Sequence, residues 1–118
     1  MSRATVTMIA AALMLSTAGL ATAAGVPPPS SVEKVLLENE KVRVVEVSFK
    51  PGAVDKMQDR LPRVVHYLTD THFTVTFADG KSVQRDNVAG SAAWRAGDRT
   101  EVTNTGREEA RLTVTYLK

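Results

Sequence analysis

From Asn39 onward, turn signals interrupt the chain roughly every ten residues, and nothing between them has the length or period of a useful helix. The breaks are Asn39-Glu40, Pro51-Gly52, Asp70-Thr71, Asp79-Gly80, Gly90, Gly97-Asp98 and Thr105-Gly106. Between them lie short runs rich in Val, Thr and Phe. These predict strands at Val32–Leu37, Val42–Phe49, Arg63–Thr69, His72–Ala78, Lys81–Arg85, Ala92–Arg95, Glu101–Asn104 and Ala110–Leu117. Many short strands at even spacing predict an all-β sandwich or barrel of about six to eight antiparallel strands.

Asp79-Gly80 is the strongest local signal, because a two-residue hairpin loop needs positive φ and Asp-Gly supplies it at little cost. Asp70-Thr71 sits midway between two alternating runs and is read as a second two-residue loop. Thr69 then faces His72, Leu68 faces Phe73, and His66 faces Val75. Side chains alternate along a strand, so one face collects Val64, His66, Leu68, Phe73, Val75 and Phe77. That set is the expected core face. His66 is expected to point inward and His72 outward.

The 118-residue chain has no cysteine, which excludes disulfide frameworks, thiolate metal sites and thiol nucleophiles. Arg3, the apolar run from Val6 to Ala21 and the small residues Ala21-Thr22-Ala23 read as a secretory signal over 1–23. Residues 24–31, with Pro27-Pro28-Pro29, form a stiff leader, and residues 32–118 form the domain. Cleavage leaves roughly 95 residues, one domain with a small core. Fifteen basic against thirteen acidic side chains leave a thin positive excess with no Lys/Arg run, so no nucleic-acid or membrane patch is expected. The implied location is periplasmic or secreted, with no membrane contact once the signal is removed.

Val42-Arg43-Val44 leading to Phe49-Lys50-Pro51-Gly52, the central Asp79-Gly80 hairpin, Gly90 through Trp94-Arg95-Ala96-Gly97, Asn104-Thr105-Gly106 and the closing strand to Lys118 resemble a small single-domain cupin. The resemblance spans Val32 to Lys118 and implies a double-sheet jelly-roll barrel. Many cupins hold a metal through two histidines and a glutamate of one motif and a histidine of a second. Counted from Gly52, the two histidines of the first motif fall on Gln58 and Arg60, and the glutamate on Val64 or Val65, with Val64 preferred. The second-motif histidine falls on Thr100 counted from Asn104, or on Glu101 counted from Gly90. Arginine offers only donors and a permanent positive charge, so these positions suit no cation. The resemblance therefore comes with no expected metal and no expected cofactor.

What remains is a barrel mouth where Gln58, Arg60, His66 and Thr100 converge as candidate ligand-binding residues. Arg60 is suited to a small anion such as a carboxylate; Glu101 is its expected partner from within the chain. The competing structural reading makes Arg60 a surface ion pair and His66 a packed core residue. No nucleophile motif surrounds Ser48, Ser82 or Ser91, and Trp94 reads as a packing residue. Two function classes follow: a non-catalytic module binding a small anion or a partner, or an enzyme with an unusual site around Gln58, Arg60 and His66. A homodimer joined through β-edges is expected, because a small sandwich leaves edge strands to cover.

Overall fold

The computed structural model describes residues 26–118. The signal segment over 1–23 and the first two leader residues lie outside the described residues. Nine strands follow in order: β1 Val32–Glu38, β2 Val42–Phe49, β3 Val54–Arg60, β4 Arg63–Tyr67, β5 Thr71–Phe77, β6 Ser82–Asn87, β7 Ala92–Arg95, β8 Asp98–Asn104 and β9 Ala110–Leu117. They form a five-stranded sheet, β1-β2-β9-β4-β7, and a four-stranded sheet, β3-β8-β5-β6, with every ladder antiparallel. The count exceeds the expected six to eight because the segment after Pro51-Gly52, read as a connection, contains β3.

The core lies between the sheets. Val45, Val47 and Phe49 of β2, Val65 and Tyr67 of β4, and Ala110, Leu112 and Val114 of β9 face Phe73 and Val75 of β5. The Phe49 and Phe73 rings meet across the layers with centroids 4.9 Å apart, tilted by 50°. One end is closed by Asn104, which is fully buried. Its Nδ2 donates to the carbonyls of Phe49 and Glu108 at 3.0 and 2.9 Å, and its Oδ1 accepts from the Gly106 amide at 3.0 Å.

Asp79-Gly80 does turn a hairpin between β5 and β6. Gly80 takes φ +89°, its amide donates to Phe77 O at 2.9 Å, and the Phe77 amide donates to Lys81 O at 2.8 Å. The loop has three residues, Ala78 to Gly80, rather than the expected two, and the positive φ is carried by glycine alone.

The Asp70-Thr71 hairpin is corrected. β4 and β5 belong to different sheets, so this segment carries the chain across the sandwich. Leu68 N donates to Arg111 O, Arg111 N donates to Thr69 Oγ1, and Ala89 N donates to Asp70 Oδ1. The segment is thus bound to β9 and the β6–β7 loop rather than to itself. The face assignment of β4 inverts as a result: Arg63, Val65 and Tyr67 are buried, while Val64, His66 and Leu68 are exposed. The assignment for Phe73, Val75 and Phe77 stands.

The proline-rich arm runs beside β3. Val54 N donates to Pro29 O at 2.9 Å and Ser31 N donates to Val54 O at 3.2 Å, giving a parallel bridge at Ser30. The chain then passes into β1 of the other sheet, so the arm straps the β1 and β3 edges together.

Candidate functional site: an arginine-lined barrel cavity

The inward rows of the five-stranded sheet change character along the barrel. One row is Val47, Leu112 and Tyr67; the next is Val45, Val114, Val65 and Ala93. The following row is Arg43, Tyr116, Arg63 and Arg95. Side chains on one row share a face, so three guanidinium groups and a phenol sit where an extension of the core would otherwise lie.

A cavity of about 60 Å³ occupies this end, and Arg60, Arg63, Arg85 and Arg95 all line it. Asp55 is the one carboxylate among its lining residues; the rest of the wall is aromatic and aliphatic, including Phe49, Phe73, Tyr67 and Tyr116. An adjoining hollow of about 160 Å³ shares Arg60 and Tyr116 and adds Glu33, Arg43 and Gln58.

Arg60, with a side chain only 6% exposed, is held by four contacts, the longest from Nη2 to Asp55 O at 3.5 Å. Its Nη1 donates to Asp55 Oδ2 at 2.8 Å, its Nε to Thr100 Oγ1 at 2.9 Å, and its Nη2 to Thr100 O at 3.1 Å. Gln58 Nε2 donates to Asp55 Oδ1 at 2.7 Å. Gln58, Arg60 and Thr100 are therefore gathered around Asp55, a residue that alternation along the strand does not bring to this face. An unbroken strand puts residues five apart on opposite faces. Here the ladder to β8 shifts between Asp55 and Gln58, three steps on β3 opposing two on β8, and the bulge restores the common face.

Glu101, the expected partner of Arg60, lies elsewhere, against the proline arm with Val54 and Met57. Thr100, 1% exposed, occupies the inward position of the second motif. His66 is exposed on the outer face of the five-stranded sheet, and the structure does not bring it to the cavity. Val64 is likewise exposed, so the inward position of that pair is Val65.

The four lining arginines divide into two kinds. Arg60 pairs with Asp55, and Arg63 Nη1 reaches Asp98 Oδ1 at 3.3 Å together with the carbonyls of Leu61 and Ala96 at 3.3 Å. Arg85 and Arg95 have no carboxylate partner among the described residues. Arg85 places its guanidinium 5.8 Å from the Phe77 ring centroid, and Arg95 Nη2 donates to Tyr67 Oη at 3.4 Å. Burial, and then the like charge of Arg95, hold the Arg85 guanidinium below its ordinary pKa. Burial also pushes the Tyr116 phenol up, against the pull of Arg60.

The residues at the positions the resemblance assigns to a metal do not fit one. Arg60 and Gln58 turn N–H donors toward the only lining carboxylate, and Arg63 adds a second positive charge. No metal-assisted step follows from this geometry. The arrangement is suited to an anion: convergent donors, partial exclusion of water and an apolar floor.

No protein-family model matches the chain, and no curated protein matches its sequence. Among solved structures, a cupin domain from Bordetella pertussis Tohama I is similar at 25% identity and a TM-score of 0.74, over 80% of this chain and 99% of that one. An RmlC-like cupin with a double-stranded β-helix fold from Methanocaldococcus jannaschii is 12% identical, with a TM-score of 0.60, over 75% and 80% of the two chains. The polyketide cyclase RemF from Streptomyces resistomycificus is similar in fold at 12% identity and a TM-score of 0.59, over 78% of this chain and 70% of that one. Two antiparallel sheets enclosing one apolar core, with these likenesses, make the chain a small cupin-fold domain, with no group of three or more His, Asp or Glu side chains placed to hold a metal among the described residues.

Proposed function

We propose that this is an exported, non-catalytic cupin domain that takes a small organic anion into its barrel cavity. The observation that carries the reading is the charge of the wall: four arginines against one carboxylate, around an otherwise apolar space. A guanidinium kept from water without an acceptor is costly, and a bound anion removes that cost. The engagement of the one carboxylate that lines the cavity supports a binding role. Asp55 accepts from both Arg60 and Gln58, so its oxygens are engaged by donors rather than poised to take a proton. Export rests on the order of Arg3, apolar run and Ala21-Thr22-Ala23.

A thermal-shift series tests the reading. Acetate and propionate should raise the melting temperature saturably, since a ligand bound to the native state stabilises it by about 2.7 kcal/mol at a hundredfold excess over Kd. Propionamide, similar in shape and uncharged, should not. Equal behaviour of acid and amide, or no response to any anion, overturns it. Mass spectrometry of the protein from its native host should find an N-terminus near Ala24; an intact Met1 contradicts export.

A further inference from the structure

Of the four cavity arginines, two are already neutralised by the fold. Arg60 and Arg63 are held by Asp55 and Asp98 and by backbone carbonyls, and their side chains are 6% and 8% exposed. Arg85 and Arg95 are half-buried and carry no ion pair among the described residues. They also occupy a distinctive place. β6 is one edge of the four-stranded sheet and β7 is one edge of the five-stranded sheet. The two strands are consecutive in the chain, form no ladder with each other, and leave the sandwich unsealed on this side. On the opposite side, the Pro29–Ser31 arm bridges the β1 and β3 edges. The sandwich is therefore strapped by backbone on one side and faced on the other by two cations that form no ion pair among the described residues.

The geometry points to a carboxylate clamp: a short-chain monocarboxylate binds with its head between Arg85 and Arg95 and its apolar tail toward Phe73 and Val75, joining the free edges of the two sheets. This rests on the anion-binding reading above and fixes where the anion sits and what it is. Two guanidinium groups from different strands can each donate to one carboxylate oxygen, and the Tyr67 hydroxyl, already in contact with Arg95, adds a third donor. The like-charge burden of Arg95 on Arg85 is relieved by the same ligand. Size sets the class. A cavity of about 60 Å³ is about four times what one water requires, which admits a body of a few non-hydrogen atoms and not a sugar or a nucleotide. The wall beyond the arginines is hydrocarbon, so a fully hydrated inorganic anion leaves it unused.

The test uses the whole mature domain with propionate and inorganic phosphate as probes, and the variants Arg85→Gln, Arg95→Gln and, as control, Arg107→Gln on the exposed β8–β9 loop. Expected are a saturable propionate shift in the parent and in Arg107→Gln, and a weakening of at least about tenfold in both Arg85→Gln and Arg95→Gln. The melting temperature of each ligand-free variant reports its folding separately. Propionate should also slow amide exchange in β6 and β7. A parent response retained in both glutamine variants overturns the clamp while leaving anion binding standing. Phosphate matching or exceeding propionate overturns the carboxylate assignment, and unchanged exchange at both edges overturns the bridging. No anion response in the parent removes this inference together with the reading it rests on.

Discussion

Asp55 and Arg60 lie five residues apart on one strand and still meet at 2.8 Å, because a bulge between them turns both side chains into the barrel. The pair is mostly buried, and Thr100 completes it from the facing strand. Arg60→Ala leaves Asp55 with the Gln58 amide alone and Thr100 O without the guanidinium, and should lower stability by roughly 2 to 3 kcal/mol, short of the full cost of breaking a wholly buried pair because Asp55 keeps some exposure. Arg60→Lys should recover only part, since one ammonium cannot reach Asp55 and both oxygens of Thr100 in the planar arrangement the guanidinium uses. Urea denaturation of the three proteins checks this; an unchanged midpoint for Arg60→Ala contradicts it.

Asn104 closes the other end of the barrel. Its side chain satisfies two carbonyls and one amide, the Phe49 carbonyl in a fully buried contact and the other two groups in partly buried ones. Asn104→Ala should cost roughly 2 to 4 kcal/mol through those unpaired groups. Asn104→Asp should be at least as harmful at neutral pH, because a carboxylate then faces the Phe49 and Glu108 carbonyls. Chemical denaturation of both variants gives the comparison. Loss of less than about 0.5 kcal/mol in either would show that water replaces the amide at no cost.

Tyr116 supplies a pH dependence with a definite sign. Burial raises its pKa above 10.0, with Arg60 opposing and Glu33 and Asp55 adding to the rise. A raised native pKa means that the folded state holds the phenolic proton more tightly than the unfolded chain. The corresponding stability is fully present below the unfolded pKa and is lost as pH rises through the native one. Stability should therefore fall in the alkaline range above 10. The chain has two tyrosines, so ultraviolet titration of a Tyr67→Phe variant reads Tyr116 alone, and ionisation below 10 in the folded protein would contradict the expected direction.

β1 predicts self-association with a second copy of this chain. All seven of its residues are exposed, it pairs only with β2, and Leu36 and Leu37 are 52% and 54% exposed. An outward row of Leu37, Val44, Thr115, Val64 and Trp94 continues across all five strands. Sedimentation at micromolar concentration should give a mass above the monomer, and Leu37→Asp should return it to the monomer without lowering its melting temperature. A parent protein that sediments as a folded monomer overturns the expectation.

The strands whose ends are fixed by strong punctuation were legible in the residues alone. Val42–Phe49, Ala92–Arg95 and Ala110–Leu117 coincide with β2, β7 and β9. The crossing at Asp70-Thr71 was not, because a two-residue break has the same local chemistry whether the next strand pairs with the last one or joins the other sheet. The bonds that decide it come from Arg111 and Ala89, distant in sequence. β4 compounds the ambiguity: Val64 and Leu68 share one face with His66, Val65 and Tyr67 share the other with Arg63, and hydrophobicity does not choose between them. The site shows the same division. Gln58 and Arg60, counted from Gly52, and Thr100, counted from Asn104, converge because motif spacing survives folding, whereas Asp55 arrives only through a bulge that alternation cannot foresee, and Arg63, Arg85 and Arg95 carry no local signal until the sheets are assembled.

The arm beside β3 has a consequence for how this domain survives at high concentration. Three successive prolines present no amide hydrogen to an incoming strand, so at Val54 the edge of the four-stranded sheet is covered by a segment that is a poor template. Addition of a further chain at the Val54 end of that edge is therefore hindered by covalent structure rather than by charge. Removing residues up to Ser31 uncovers the amide and carbonyl of Val54 that Pro29 and Ser31 now occupy. The shortened chain should keep its core yet form β-rich aggregates with a shorter lag on shaking, which makes the leader a determinant of colloidal lifetime rather than of fold.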